Sequence, residues 1–426
     1  MKKVAVTGMG AVSPLGIGVE NYWNNLKLGY TKAKNLNNIS SSELFKKINK
    51  FNADVSIEIE DFSLNDIERI PSDIKSLDRY IQFAVLAAEL AKKDSSLTNR
   101  STDFNSERIG VSLSTAICGT KHMEEVFVNV TNYGTENIEP SKGSPNLYLS
   151  SMSNTPSKII ASIIGAEGPC VTLSTGCIGG IDAIGYAYEQ ILNGDMDIMI
   201  AGASEAPITP ISYGAFDIIN CLSTKHNHDP SKASRPYDEN RDGFVLSEGA
   251  GIIILEDEEH AKKRGAKIYG YITGFSNTSN ALHMTDLVSD GVDLARAIEN
   301  ALNYAKLKPS DIDYINGHGS STPQNDRCET SAIKKVFGEL AYTIPVSSTK
   351  SMTGHPLSAA SALEIIASLK SLEENILHPT INYTSRDKEC DLDYIPNKFR
   401  KKALKNVLSI ASGFSGLHSA IILESF

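Results

Sequence analysis

Short apolar runs alternate along the chain with longer segments in which apolar residues recur every three or four positions. Apolar runs bounded by turn-forming residues are typical of buried strands, and the longer periodicity is typical of helices that bury one face. Strands are predicted at residues 108–113, 170–173, 197–203, 251–256, 313–315, 344–347, 407–409 and 420–423. This alternation predicts an α/β protein built from layers of helices and sheet.

The chain opens with a predicted strand at residues 4–7, a glycine-rich turn and a helix at residues 21–28. A dinucleotide-binding loop needs a third glycine in the pattern G-x-G-x-x-G, but Ser13 occupies that position after Gly8 and Gly10. We therefore interpret these glycines as a structural turn rather than as a phosphate-binding loop.

Two stretches of the chain are similar in pattern. The residues from Cys170 and those from Pro345 each give a strand, a loop of small residues and a helix with small residues near its start. This similarity has two explanations: two similar halves, or the strand–turn–helix unit that any α/β protein repeats. The pattern leaves both open. A polar segment at residues 276–289 predicts a long connecting loop.

Composition narrows the function classes. The 426 residues include 51 acidic and 41 basic ones, for a formal net charge of −10, which argues against general nucleic-acid binding because that affinity depends on Lys and Arg. No apolar run approaches the ~18 residues of a membrane span, and Gly8, Gly10 and Pro14 interrupt the first one too early for a signal peptide. The six cysteines form no C-x-x-C pair, which favours a reducing compartment, so we expect a cytoplasmic protein.

Cys177 is the cysteine with the local features of a nucleophile. It precedes a predicted helix and has Gly176, Gly179 and Gly180 around it. The unpaired N–H groups and the dipole at a helix start favour a thiolate and would lower the thiol pKa from about 8.5. The same N–H groups could stabilise the oxyanion formed when the sulfur attacks a thioester. The alternative, a small buried apolar side chain, is our interpretation of the other five cysteines.

His318 and His355 lie in glycine-flanked turns, INGHGSSTP and STKSMTGHPL. Such turns often carry catalytic groups, although a single histidine there is more often a hydrogen-bonding residue. The histidines lack H-x-x-x-H spacing, and HNH at residues 226–228 does not place two ligands on one helix face, so no metal site is predicted. Ile178 stands where a papain-type hydrolase has an aromatic residue. Together, Cys177 and the two histidines favour nucleophilic catalysis.

Five segments in chain order carry a family resemblance: STGCIGG, SRPYDENRDGFVLSEGAG, INGHGSSTPQNDRCET, SSTKSMTGHPLSAASALE and SGFSGLHSA. Together they resemble the β-ketoacyl-acyl carrier protein synthases of the thiolase superfamily, over essentially the whole chain. ITPI after GASEAP, ALHMTDL, QNDRCE and CDLDYIP are most similar to the catalytic ketosynthase (alpha) chain of type II aromatic polyketide synthases. The alternative is a homodimeric fatty-acid β-ketoacyl-acyl carrier protein synthase II of the same family. The non-catalytic chain-length partner fits less well, because it usually has Gln in place of the cysteine.

The resemblance implies a fold and a reaction. The fold is the thiolase-like layered α-β-α-β-α arrangement of two similar halves, residues 1–258 with the nucleophile and residues 259–426 with the histidines. The reaction is a decarboxylative Claisen condensation. Cys177 takes an acyl chain from the phosphopantetheine arm of a carrier protein, and His318 and His355 stabilise the enolate that forms as malonyl carrier protein loses carbon dioxide. No metal or organic cofactor of the chain itself is implied.

The resemblance also implies supporting roles. Lys350 matches the family lysine that orients the site, with Glu329 and Glu364 as its expected ionic partners. The backbone N–H groups of Cys177 and Phe414 would form the oxyanion hole. Phe414 with Ile117 would gate the acyl compartment. Thr285, Ser320 and Thr322 would bind the pantetheine arm, and Lys75 with Arg79 would dock the carrier protein.

The implied partners are the acyl carrier protein and a related chain-length-determining chain in a heterodimer; the fatty-acid alternative implies a homodimer. Fatty-acid members usually read G-F-G-G-T-N where this chain reads GFSGLH from Gly413, with Ser415, Leu417 and His418 as departures. Further departures follow the nucleophile and His355: Ile178 and Gly179, and Pro356 and Ser358. We expect these departures to affect substrate fit more than mechanism.

Overall fold

The computed structural model describes residues 2–39, 45, 51–60, 62–64, 73–97, 105–287 and 289–426. The α-helices of these residues are α1 Val19–Leu28, α2 Arg79–Asp94, α3 Thr120–Thr131, α4 Leu147–Ser151, α5 Thr155–Ile164, α6 Gly179–Leu192, α7 Pro210–Ile218, α8 Glu258–Lys263, α9 Val292–Ala305, α10 Pro323–Phe337, α11 Lys350–Thr353 and α12 Ser358–Glu374. The strands are β1 Val4–Ser13, β2 Gly16–Ile17, β3 Lys34–Asn35, β4 Val55–Ile57, β5 Ile109–Ser114, β6 Cys170–Leu173, β7 Ile198–Glu205, β8 Leu246–Ser247, β9 Gly249–Asp257, β10 Gly270–Ser279, β11 Tyr314–Asn316, β12 Val346–Ser347, β13 Ile376–Leu377, β14 Arg400–Lys401, β15 Asn406–Gly413 and β16 Leu417–Ser425.

Most of these strands join one sheet in the order β12-β11-β15-β16-β10-β1-β9-β7-β5-β6, with β2 paired to β1. The sheet consists of two sets of five strands, β6-β5-β7-β9-β1 (the first set) and β12-β11-β15-β16-β10 (the second set). In each set the first three strands are parallel and the next two pair antiparallel, and β1 pairs with β10 to join the two sets. If the strands of each set are numbered one to five along the chain, their order across the sheet from its outer edge is 3-2-4-5-1 in both sets. The two sets therefore have the same topology, which resolves the choice that the sequence pattern left open in favour of two similar halves. The boundary between residues 258 and 259 stays a prediction.

Helices α6 and α12 lie between the two sets of strands, and each contacts strands of both. A helix packed on all sides is buried around its whole circumference, and this is the case for α12 from Ser358 to Leu372. The two helix starts approach closely, since a Cβ atom on Gly180 would lie 2.6 Å from the backbone nitrogen of Ala362. Helix α2 covers the outer face of the first set, and α9 covers the second, with α10 packed against α9. The result is the predicted α-β-α-β-α layering.

The glycine-rich turn predicted after residue 7 is wrong, because Gly8 and Gly10 lie inside strand β1. Cβ atoms at these glycines would lie 2.5 Å from the carbonyl oxygen of Ala91 and 1.9 Å from that of Ala87, both in α2. The glycines therefore allow a helix to approach the strand closely. They do not turn the chain.

Strand β6 has the predicted bounds, and the other predicted strands lie within or close to observed ones. Strand β10 was missed, and its last four residues, 276–279, had been assigned to a long loop. This strand alternates buried and more exposed residues towards its end, so it lacks a continuous apolar run. Only its pairing with β1 and β16 reveals it. No helix among the described residues combines the length and apolar character that crossing a membrane requires.

Candidate active site

The candidate nucleophile follows strand β6 in a short 3-10 turn, Gly176–Ile178, that leads directly into helix α6. The position at a helix start is the predicted one, but the predicted lowering of the thiol pKa is wrong. Burial raises the pKa of Cys177 to about 12, and the nearby Glu205 and Glu364 carboxylates also raise it, against the opposing effect of Lys350. Loss of solvation outweighs the helix start, so the resting side chain is a neutral thiol.

His318 and His355 meet beside this thiol although they are 37 positions apart in the chain. Their rings pack edge to face with centroids 5.3 Å apart, and both residues are 3% exposed. His318 follows strand β11, and His355 follows α11 through Gly354, whose φ of 69° suits glycine. Burial, aided by the positive charge of Lys350, holds the pKa of both imidazoles well below 6.5. Both rings are therefore neutral at neutral pH.

Lys350 determines which nitrogen of His318 carries the proton. Its ammonium lies 3.3 Å from Nδ1 of His318 and donates to the carbonyl oxygen of the same residue at 2.7 Å. An ammonium can only donate, so Nδ1 of the neutral ring accepts and the proton sits on Nε2. The Nε2–H group is thus available to donate to a substrate oxygen.

The two expected carboxylate partners of Lys350 have different positions. Glu364 accepts a hydrogen bond from the ammonium at 2.5 Å, and the side chains of this pair are 0% and 1% exposed. Glu329 instead accepts from the backbone N–H groups of His318, at 2.8 Å, and Gly319, at 3.2 Å, and from the Tyr237 hydroxyl. Burial raises the pKa of each carboxyl to about 7. Glu364 thus pairs with the lysine, whereas Glu329 holds the loop that carries His318.

Phe414 borders the candidate nucleophile on another side. It begins a 3-10 turn, Phe414–Gly416, after strand β15, and the preceding Gly413 lies so close that a Cβ atom on it would be 3.8 Å from the backbone nitrogen of Cys177. Phe414 and Ile117 both pack against the apolar cluster that Cys177 contacts. This geometry brings the expected oxyanion-hole residues and the expected gating pair to the same place.

Two adjoining cavities that share lining residues connect the thiol with the surface. The inner cavity is lined by Cys177, both histidines, Ser320 and Thr322. An outer pocket is lined by Thr285, and it shares Thr322 and Phe414 with the inner cavity. The hydroxyls of Ser320 and Thr322 lie 2.8 Å apart. The three expected pantetheine-binding hydroxyls therefore follow one path, with Phe414 beside it.

The two residues expected to dock the carrier protein lie apart from this entrance, and they line a different surface pocket together with Asp78 and Glu125. Arg79 is engaged internally, because its guanidinium donates to Glu248 at 2.7 and 3.1 Å and its side chain is only 19% exposed. Lys75 is exposed. The structure therefore leaves Lys75 as the accessible member of the pair.

Several residues that build this site carry no signal in the local sequence. Phe216, Phe244 and Leu357 line the inner cavity, and no local motif distinguishes them from other core residues. Glu205 is different, since a charged residue that ends the apolar strand β7 was visible in the sequence as GASEAP. A buried carboxylate at a strand end is a recognisable signal of a polar site.

Comparison with known proteins identifies the family. The chain matches the description "Beta-ketoacyl synthase, N-terminal domain" over residues 1–261 and "Beta-ketoacyl synthase, C-terminal domain" over residues 269–384. It is 43% identical over 426 residues to "Putative polyketide beta-ketoacyl synthase 1" of Streptomyces cyaneus, which covers 99% of this chain and 98% of that protein.

Two solved structures give the same result. One, described as "AntDE:AntF (apo): type II PKS acyl-carrier protein in complex with its ketosynthase bound to the hexaketide", matches with a TM-score of 0.91 and 42% identity over 100% of this chain and 99% of that one. The other, "The ishigamide ketosynthase/chain length factor", matches with a TM-score of 0.89 and 29% identity over 100% and 99%. The chain therefore belongs to the β-ketoacyl synthase family of thiolase-like enzymes.

Proposed function

We propose that the chain is the catalytic ketosynthase subunit of a type II polyketide synthase. Its reaction is the decarboxylative condensation of malonyl carrier protein with an acyl or polyketide chain held on Cys177. The observation that carries this proposal is the meeting of one partly buried thiol and two neutral imidazoles, His318 and His355, in a single cavity. The high identity to polyketide synthases over the full chain supports the polyketide branch.

The first half-reaction loads the nucleophile. The sulfur of Cys177 attacks the thioester carbonyl of the acyl carrier protein, and the oxyanion accepts hydrogen bonds from the backbone N–H groups of Cys177 and Phe414. Collapse of this intermediate breaks the bond to the pantetheine sulfur, which takes the proton that the thiol loses. The acyl chain is then a thioester of Cys177.

The second half-reaction uses the two imidazoles. Nε2–H of His318 and the ring of His355 donate to the carbonyl oxygen of malonyl thioester, and this oxygen gains negative charge as carbon dioxide leaves. The enolate carbon attacks the Cys177 thioester, and a carbon–carbon bond replaces the carbon–sulfur bond. The departing Cys177 thiolate takes a proton from water, and the elongated β-ketoacyl chain remains on the carrier protein.

Lys350, Glu364 and Glu329 position the donors. The ammonium keeps Nδ1 of His318 occupied as an acceptor, Glu364 balances the buried positive charge, and Glu329 fixes the backbone of the His318 loop. The phosphopantetheine arm belongs to the carrier protein, and the hydroxyls of the entrance path would bind it. The chain itself needs no further cofactor in this scheme.

Two surface features support a second chain as partner. Strand β6 pairs with β5 and forms one edge of the sheet, and it is less buried than the other sheet strands. An open sheet edge invites pairing with another chain. Large apolar side chains are also exposed on the segment that precedes it, namely Met123, Phe127, Tyr133, Ile138, Tyr148, Leu149 and Met152. We propose that a chain-length-determining relative covers this region in a heterodimer.

Intact mass spectrometry and carbon dioxide release test the proposal. Cys177→Ala should abolish covalent acylation by acyl carrier protein, and acylation that persists would contradict the nucleophile assignment. Cys177→Gln should retain decarboxylation of malonyl carrier protein but not condensation, so absence of carbon dioxide release would contradict the role of the histidines. The partner chain is tested by omission: undiminished product without it would favour the homodimeric fatty-acid alternative.

A further inference from the structure

Glu205 is a buried carboxylate beside the nucleophile that the proposed reaction does not use. It ends strand β7 and is 0% exposed. Its charge raises the pKa of Cys177, which places it within electrostatic range of the thiol. A buried carboxylate is unfavourable unless donors surround it. Its hydrogen bonds therefore indicate what it holds in place.

Four donors converge on the two oxygens of Glu205. Oε1 accepts from the Thr115 hydroxyl at 2.9 Å and the Ile117 N–H at 3.2 Å. Oε2 accepts from the Ala116 N–H at 2.7 Å and the Ser358 hydroxyl at 2.6 Å. Each oxygen thus receives one backbone N–H from the loop after β5, and one hydroxyl ties the start of α12 to the same carboxylate.

Both anchored segments contain a residue with a positive φ, which residues other than glycine seldom adopt. Cys118, which follows Ile117, has a φ of 42°, and Leu357, which precedes Ser358, has a φ of 43°. Such conformations are strained and persist where the surroundings fix them. The hydrogen bonds of Glu205 lie directly beside both strained positions.

The anchored segments place two apolar side chains at the thiol. Leu357 lines the inner cavity, and Ile117 packs against the same apolar cluster as Cys177. Ser358 also lies against the nucleophile's own helix, since a Cβ atom on Gly179 would be 3.3 Å from the Cβ atom of Ser358. One carboxylate therefore links the loop after β5, which contains Ile117, to the segment after His355. Through Ser358 it also contacts helix α6, which begins after Cys177.

We propose that Glu205 is a positioning residue for acyl transfer, which holds Ile117 and Leu357 beside Cys177 and thereby sets the acyl length that this thiol accepts. The inference rests on the proposed function. The malonyl side of the site has separate anchors, because Glu329 holds His318 and the backbone N–H of His355 donates to the carbonyl of Val245 at 2.7 Å. Acyl loading and decarboxylation should therefore respond differently to a change at Glu205.

Glu205→Gln is the sharpest perturbation. The amide nitrogen of glutamine can only donate, so in either orientation it faces the N–H of Ala116 or of Ile117 and one hydrogen bond is lost. Loss of such a bond to a buried charged group is worth about 10-fold or more. We expect kcat/KM for loading of Cys177 from hexanoyl carrier protein to fall at least ~10-fold, with a smaller loss for acetyl carrier protein. Decarboxylation of malonyl carrier protein should change less than about 2-fold, as expected for a site with separate anchors.

The assays use the chain with its partner, and intact mass spectrometry follows acylation over time. Glu256→Gln is the matched control, since this carboxylate is also 0% exposed but accepts from Arg264 at the opposite end of the β7–β9 pair from Glu205. It should lower the melting temperature without changing the hexanoyl-to-acetyl ratio, which is the kcat/KM for loading from hexanoyl carrier protein divided by that for acetyl carrier protein. Ser358→Ala removes one hydroxyl donor and should shift the ratio in the same direction as Glu205→Gln, by a smaller factor.

The outcomes separate the two proposals. If the wild-type chain is not acylated at Cys177, the proposed function fails. If the wild-type chain is acylated and both Glu205→Gln and Ser358→Ala keep its hexanoyl-to-acetyl ratio, the positioning role of Glu205 is overturned. An equal loss of acyl loading and decarboxylation would also overturn it, since that result indicates a general structural role. If Glu205→Gln does not fold, the ratio measured for Ser358→Ala decides.

Discussion

Removal of the Glu364 carboxylate should destabilise the protein more than most single substitutions. Glu364 and Lys350 form an ion pair at 2.5 Å with side chains 0% and 1% exposed. Glu364→Leu leaves the ammonium buried without its partner. Breaking a buried pair in this way costs about 3–5 kcal/mol, whereas replacing both partners by apolar groups is often neutral or stabilising.

This free energy converts into a measurable shift of the melting temperature. At about 2.1 cal/mol/K per residue, unfolding of 426 residues has an entropy of about 0.9 kcal/mol/K. A loss of about 3–5 kcal/mol therefore lowers Tm by roughly 3–6 °C. The double variant Lys350→Met with Glu364→Leu should recover most of this loss, because no buried charge is left unpaired.

Calorimetry measures the stability, and carbon dioxide release from malonyl carrier protein measures the chemistry. We expect the double variant to be stable but slow in decarboxylation, since Nδ1 of His318 loses the donor that fixes its tautomer. If Glu364→Leu lowers Tm by less than about 1 °C, the reasoning from the buried pair is refuted. A double variant that melts below the single variant would refute it as well.

Three further predictions concern protonation and packing. Because the pKa of His318 and His355 is held well below 6.5, both rings should stay neutral as the pH falls from 8 to 6 in an NMR titration of the imidazole signals, and a midpoint at pH 6.5 or above would contradict their neutrality. Burial lowers the pKa of His378 to about 4, below its value in the unfolded chain, so its contribution to stability is full above about pH 6.5 and decreases by ~1.4 kcal/mol per pH unit towards pH 4. His378→Asn should remove that part of the slope in pH-dependent denaturation, and an unchanged slope would argue against it. Gly180→Val should destabilise by about 1–3 kcal/mol in denaturant unfolding, because its Cβ atom would lie 2.6 Å from the backbone nitrogen of Ala362, and a stability equal to wild type would contradict this packing.

Local sequence patterns determined much of the fold. Strand β6 was predicted with the bounds it has, and Cys177 was placed correctly between that strand and a helix, because an apolar run followed by a three- to four-residue periodicity is a local property. The glycine-flanked turns at His318 and His355 were equally local. The repeated strand–loop–helix pattern indicated two related units, but only the sheet order showed that both units share one topology.

Other features depended on contacts between distant residues. Gly8 and Gly10 were interpreted as a turn because nothing nearby shows that helix α2 packs against the strand. Strand β10 has no continuous apolar run, and its partners β1 and β16 lie far away in the chain. A pattern that reports only neighbouring residues cannot reveal either arrangement.

The chemistry of the site divides in the same way. The sequence determined which residue types are present, namely the thiol, the imidazoles, the lysine and the carboxylates. The tertiary structure decided their properties. Burial raised the pKa of Cys177, whereas a helix start alone predicted that it would be lowered. The packing also paired Lys350 with Glu364 rather than with Glu329. It also gathered four donors around Glu205 from two segments more than 200 residues apart. Desolvation and pairing are set by what surrounds a group in space, and only the packed chain determines that.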